Sequence, residues 1–236
     1  MGLTYVRHVK RVIKQTPVYL KSSIGMGRPK VFVIGRNKTG TTSLAHYLKS
    51  CGYSLGNQRQ ASLLIEDWGR RDFRRIASYC KTADAFQDIP FSLDYTYQAM
   101  DSAFPASRFI LTVRDSSDQW FQSVLRYMRK QNKRRGYDRV PTSEDMKTDP
   151  YIYSGWLWRV EQLMWGADRA EDCLFDEAVV KKHYEDHNSR VIDFFRHRTE
   201  DLLVVNVADA DSAERISDFI GFKSSLGGMP KLNASS

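Results

Sequence analysis

Short, unbroken apolar runs occur at long intervals along the chain. Residues 30–34 place Val31, Phe32 and Val33 between Pro29 and Gly35 with no polar alternation, the pattern of a strand covered on both faces, as in a parallel sheet. Residues 108–113 and 202–207 repeat it, and residues 83–86 give a weaker version, so four central strands are predicted. Between the runs the apolar positions change to a helical period. Leu44, Tyr47 and Leu48 follow the first run, and Trp120, Val124 and Tyr127 with Leu125 and Met128 follow the run at 108, each marking one face of a helix. Further helices are predicted over 156–165, 179–198 and 212–220, the last opened by Asp211 or Ser212 as N-cap. Strand alternating with helix implies an α/β fold, with three α/β/α layers around a mainly parallel sheet. Residues 130–150 are polar, charged and without a clear period, so they are expected to form a loop or lid over one end of the sheet. The tail from Lys223 is rich in Ser and Gly and is expected to be irregular.

Composition narrows this picture slightly. With 42% hydrophobic and 27% charged residues in 236, the chain carries enough apolar material for one real core and lacks the signature of disorder. A single domain over residues 30–236 is expected, preceded by a basic lead-in at 1–29. That lead-in alternates apolar with basic residues and never reaches the roughly 20 apolar positions of a membrane span. A cytoplasmic location follows as the expectation, with peripheral contact between the lead-in and a membrane surface as its alternative. Cys51, Cys80 and Cys173 are odd in number and widely spaced, which suggests neither a zinc cluster nor a closed disulfide framework.

A net charge of +8 favours anionic partners: phosphorylated nucleotides, nucleic acid, acidic glycans or a membrane surface. The residues from Gly35 to Ser43 choose among them. They follow a buried strand and precede a helical pattern, an arrangement that aims several backbone N–H groups and the positive helix end at one spot, suited to phosphate or sulfate. Thr41, Thr42 and Ser43 add hydroxyls there, and Lys38 adds a mobile cation. A nucleotide triphosphatase would show G-x-x-x-x-G-K-[ST], but Thr41 follows Gly40 and the lysine sits upstream at Lys38, which weakens an ATPase or kinase reading. The dinucleotide fingerprint G-x-G-x-x-G fails because Asn37 stands at its second glycine.

The run from Lys38 through Thr39, Gly40 and Thr41 to Thr42 resembles the 5′-phosphosulfate loop of the sulfotransferases, K-[ST]-G-T-[TS]. The resemblance implies a P-loop-like α/β domain that binds 3′-phosphoadenosine 5′-phosphosulfate (PAPS, leaving the product PAP) through Lys38, Thr39, Gly40, Thr41, Thr42 and Ser43. It implies no metal. In that family a strand-end arginine and a helical serine grip the nucleotide's 3′-phosphate. Arg114, ending the run at 108–113, matches the arginine, and Ser123 matches the serine at a spacing one residue longer than the commonest pattern. A fork of fixed donors on a permanent cation suits a phosphate dianion. Lys231, in a segment resembling a P-x-x-N ending common in a bacterial-type branch, would touch the nucleotide's phosphates.

Where many sulfotransferases carry a catalytic histidine, this chain has Asp88. A carboxylate there either accepts the acceptor's proton, given a suitable pKa, or caps the following turn or positions substrate; Asp84 and His46 are weaker alternatives for the base. His187 is expected to begin a helical stretch and to serve packing or capping. The function expected is sulfuryl transfer from PAPS to a hydroxyl or amine of a glycan, lipid or small molecule. Two alternatives stand beside it. One is a magnesium-dependent kinase using Asp88 or Asp115. The other is a non-enzymatic binder of anionic polymers through Arg126, Arg129, Lys130, Lys133, Arg134 and Arg135, although nucleic acid is the less expected partner.

Overall fold

The computed structural model describes residues 28–230; most of the basic lead-in, and Lys231, lie outside the described residues. The chain order begins with β1 (Val31–Val33), α1 (Thr41–Ser50), α2 (Gln58–Ser62), α3 (Ile65–Gly69), α4 (Arg74–Tyr79), β2 (Ala85–Phe86) and α5 (Thr96–Ala103). It continues with β3 (Arg108–Thr112), α6 (Ser117–Lys133), α7 (Ser143–Thr148), α8 (Trp156–Trp165), α9 (Ala170–Cys173), α10 (Glu177–Phe194), β4 (Leu202–Val205) and α11 (Ser212–Ile220). The four strands lie where the continuous apolar runs predict them, in one all-parallel sheet of order β2-β1-β3-β4. The fold is the three-layer α/β arrangement expected.

Successive strand side chains point to opposite faces, and each face has its own core. Val31, Val33, Ile110 and Val205 pack with Leu44, Leu48 and Ile216 of α1 and α11. Phe32, Phe109 and Leu111 pack on the other face with Ile65, Trp68, Ile76, Met100, Trp156 and Val191, from the helices α3, α4, α5, α8 and α10. Phe32 is fully buried and stands at the centre of a ring cluster, with centroids of Phe86, Phe91, Phe104 and Phe109 5.4 to 6.0 Å away. Such offset and tilted pairs add to simple area burial.

Two expectations need correction. Residues 130–150 are not one long loop, because α6 runs on to Lys133 and a second helix, α7, spans Ser143–Thr148. Thr142 and Asp145 form a reciprocal capping box that starts α7, and Met146 packs with Trp158 and Ala170 beneath it. His187 does not begin a helix but sits in the middle of α10, fully buried. The three cysteines are all buried and free. Among the described residues no helix is long and apolar enough to cross a membrane.

The chain leaves β1 for β2 on one side and returns to β3 on the other, so a crevice opens between the carboxyl ends of β1 and β3, where open α/β sheets bind ligands. Replacing Phe32 by Ala should cost about 3–5 kcal/mol of stability, the usual range for a buried aromatic truncated in a close-packed core. A shift of the denaturant midpoint at unchanged slope measures this; a loss under about 1 kcal/mol would mean the ring cluster does not carry the core.

Candidate active site

Gly35 to Gly40 cross that crevice as a tight loop, and α1 begins at Thr41. The turn depends on glycine at both ends. A Cβ on Gly35 would lie 2.1 Å from the Thr112 hydroxyl, and one on Gly40, whose φ is 97°, would lie 2.1 Å from a Val207 methyl. Lys38 itself takes a left-handed φ of 72°, a conformation that costs a non-glycine residue energy and needs its surroundings to hold it. The first amides of α1 have no partner within the helix, and the helix starts without a side-chain cap.

The loop is held from below and from both flanks. Thr39 is fully buried, and its hydroxyl donates to the Arg36 carbonyl at 2.6 Å and lies 2.5 Å from the Thr112 hydroxyl. That hydroxyl therefore braces the turn instead of facing outward. Trp120 Nε1 donates to the Asn37 carbonyl at 2.9 Å, and Ser92 Oγ donates to Asn37 Oδ1 at 3.1 Å. Arg114 Nε donates to the Lys38 carbonyl at 3.0 Å, so the strand-end arginine lies on the same side of the sheet as the loop. Its backbone N–H donates to the Tyr184 hydroxyl, and Tyr184 stacks on Trp120 with centroids 4.3 Å apart. Among the described residues no acceptor takes the two Nη groups of Arg114, so this half-buried cationic fork is tied to the loop by its Nε alone.

Asp88 follows β2 at φ 56° and comes over the start of α1, where the Thr41 hydroxyl donates to its Oδ1 at 3.2 Å. The turn that follows is closed by the backbone bond from Ser92 to the Asp88 carbonyl, and the carboxylate bond among the described residues is the one from Thr41. Burial pushes the Asp88 pKa up, with the Lys38 charge and the Thr41 bond working against it. Burial likewise pulls the Lys38 ammonium down to about 8, with Asp88 raising it. The Lys38 Nζ lies 3.0 Å from the ring centroid of Tyr127 on α6.

The remaining expected site residues are placed less closely. Thr42 is exposed and Ser43 buried at the first turn of α1. Ser123 is half-buried on α6; its hydroxyl donates to the Gln119 carbonyl at 2.8 Å and accepts from Arg126. Asp84 belongs to the opposite edge: its carbonyl accepts from Val31 at the start of β1, and its carboxylate is held by Ser54. It does not reach the crevice. His46 is exposed one turn along α1.

Beneath the loop lies a buried polar cluster that no sequence pattern announces. Arg36 donates to the Ser92 carbonyl and to Asp94 Oδ1, both at 2.9 Å, and to the neutral Nε2 of His183 at 2.6 Å. Burial and the neighbouring Arg36 charge drop His183 to about 3, so it acts as an acceptor. His187 of α10 sets Nδ1 against Asp94 Oδ1 at 2.9 Å and Nε2 against the Ile34 carbonyl at 2.8 Å. Both neighbours are acceptors, so both contacts are hydrogen bonds together only when the ring carries two protons; burial and the Arg36 charge lower the His187 pKa, against Asp94 and the Ile34 carbonyl. Arg190 completes the set on Asp94 Oδ2. Burial alone would raise the Asp94 pKa, but the His187 bond and the Arg36 charge hold it well below the usual carboxylate range. No sequence pattern joins residues 36, 94, 183 and 187; the one available signal was a histidine at a core-facing helix position.

Among the described residues no three His, Cys, Asp or Glu side chains converge as a metal-holding group. The family model for the sulfotransferase domain matches residues 30–236. No curated protein matches the chain.

Asp94→Asn should destabilise the protein by about 3–5 kcal/mol at pH 7, because it leaves Arg36 buried without its counter-charge. A carboxylate whose folded pKa is depressed stabilises above its unfolded value, near 3.9, and loses that contribution as pH falls toward the folded value. The gap between wild type and variant should therefore be full at pH 5 to 8 and shrink below about pH 4; a pH-independent gap in chemical denaturation would contradict the assignment.

Proposed function

The chain belongs to the sulfotransferase family, and from that premise we propose that it moves a sulfuryl group from PAPS to a hydroxyl or amine of an acceptor, with Lys38, Arg114, Thr41 and Asp88 as the working residues. The observation that carries this reading is their convergence at one sheet edge: Arg114 bonds the carbonyl of Lys38, and Thr41 bonds Asp88. The donor set fits the nucleotide. The α1 N-terminus with its amides and hydroxyls suits the phosphosulfate end, and the Arg114 fork with Ser123 on the adjoining helix suits a 3′-phosphate. Gly40, Thr42 and Ser43 line the first turn, Thr39 contributes by bracing the loop, and Lys231 is proposed to reach the phosphates from the C-terminal segment.

When bound, the nucleotide supplies an activated sulfuryl group on a phosphate leaving group. Lys38 donates to the oxygen on which negative charge grows as the leaving group departs, the place where a preorganised donor contributes most. Asp88, raised in pKa by burial, takes the proton of the acceptor hydroxyl or amine. Thr41 fixes the carboxylate's orientation from the same helix turn that faces the phosphosulfate, which keeps attacking and leaving groups in line. Two residues thus work in opposite protonation states, lysine charged and aspartate ionised.

Transfer of labelled sulfate from PAPS to a panel of glycans, lipids, phenols and peptides tests the function; no transfer to any, together with tight binding of ATP and magnesium but not PAP, would replace it by the kinase reading. Lys38→Ala should lower turnover at least about a hundredfold, and unchanged turnover would remove Lys38 from the mechanism. Arg114→Ala should weaken binding of PAP more than that of the nucleotide lacking the 3′-phosphate, by calorimetry.

The pH profile has a definite sign. Lys38 acts protonated, so kcat/KM for the donor should fall as pH rises through about 8, and Asp88 acts ionised, so it should fall again on acidification, above the ordinary carboxylate range. Lys38→Arg should push the basic limb out of reach, and Asp88→Asn should remove the acid limb along with most activity.

A further inference from the structure

We propose that Tyr127 is a positioning residue for Lys38: its ring seats the ammonium group on α6 and keeps the lysine apart from Asp88, so that neither charge is consumed by the other. The inference rests on the sulfuryl-transfer reading and deepens it. Lys38 and Asp88 are near enough for each to feel the other's charge, and opposite charges in a partly buried site ordinarily pair. They do not pair here. Among the described residues Lys38 has no carboxylate within ion-pair distance; its Nζ lies 3.0 Å from the centre of the Tyr127 ring, and Asp88 Oδ1 is taken by Thr41.

An aromatic face is suited to this task. It attracts a cation through its quadrupole but offers no oxygen to take the proton, so the lysine keeps its donors for an incoming group. A direct ion pair would instead tie those donors up and lower the basicity of the carboxylate. The ring is placed by the same helix that grips the loop, because Trp120, seven residues earlier on the same face of α6, donates to the Asn37 carbonyl. Burial raises the Tyr127 pKa, with Tyr151, Asp88, Arg134 and Asp149 as its other charged or titratable neighbours, so the ring stays a neutral phenol.

The test reads the lysine without turnover. Acylation of Lys38 by a small amine-selective reagent, followed across pH by peptide mass spectrometry, reports its proton affinity. Wild type and Tyr127→Phe, which keeps the ring, should share one midpoint near 8. Tyr127→Leu should move it upward by about one pH unit as the amine pairs with Asp88, and adding Asp88→Asn should abolish that rise. Tyr127→Met replaces Leu if thermal melting shows the Leu variant unfolded. An unmoved or lowered midpoint without the ring, or an equal rise in Tyr127→Phe, overturns the proposal. In transfer assays the ring-less variant should bind PAP within about threefold of wild type yet turn over about tenfold more slowly; equal turnover also overturns it. A midpoint that moves as expected in a protein that transfers no sulfate would refute the sulfuryl-transfer reading and leave the seating of Lys38 intact.

Discussion

The crevice is usable because a loop in an unfavourable backbone conformation is clamped from beneath. Lys38 and Gly40 both occupy left-handed backbone space, and a helix amide cradle of this kind would relax if left to itself. The clamp is Asp94, which takes the Arg36 guanidinium, together with the buried ring of His187, set between Asp94 and the Ile34 carbonyl. It joins the start of the loop, at Ile34 and Arg36, through Asp94 to the middle of α10, three pieces of chain far apart in sequence. The same contacts that stabilise the fold therefore fix the height and tilt of the loop above the sheet. Buried charge is expensive unless every member is paired, so this cluster is a point where small chemical changes have large consequences.

How much of this could be read from residues alone differs by element. The strands were plain because burial on both faces leaves unbroken apolar runs, as in Val31 to Val33 and Leu202 to Val205. The loop was plain because its glycines and hydroxyls sit in order between strand and helix. The short helices α2, α3 and α4 leave no such mark, since five or six residues are too few to display a helical period. The helix α7 was hidden by its charge, and only its Thr142 and Asp145 box, which needs no apolar face, betrays it in retrospect.

Site residues divide along similar lines. Lys38, Thr41 and Arg114 are local to recognisable turns and were named from sequence. Asp94, His183 and His187 draw their meaning from one another across the fold, and a linear pattern carries no trace of that. Tyr127 was legible only as one apolar position of α6; its position over the lysine depends on how α6 docks. Thr39, read as a ligand of the nucleotide, has its hydroxyl turned down onto Thr112, a direction no spacing argument could supply.

The bond between the Arg114 guanidinium and the Lys38 backbone has an implication for selectivity. If the two residues serve opposite ends of one nucleotide, then occupancy at the distal end is communicated mechanically to the reacting end through a single hydrogen bond. A donor analogue stripped of its distal group would be doubly penalised, held less firmly and presented to a lysine whose main-chain support has been altered. Discrimination among nucleotides would then be expressed partly in the speed of the chemical step, giving the enzyme a check on identity that tightness of grip alone does not provide.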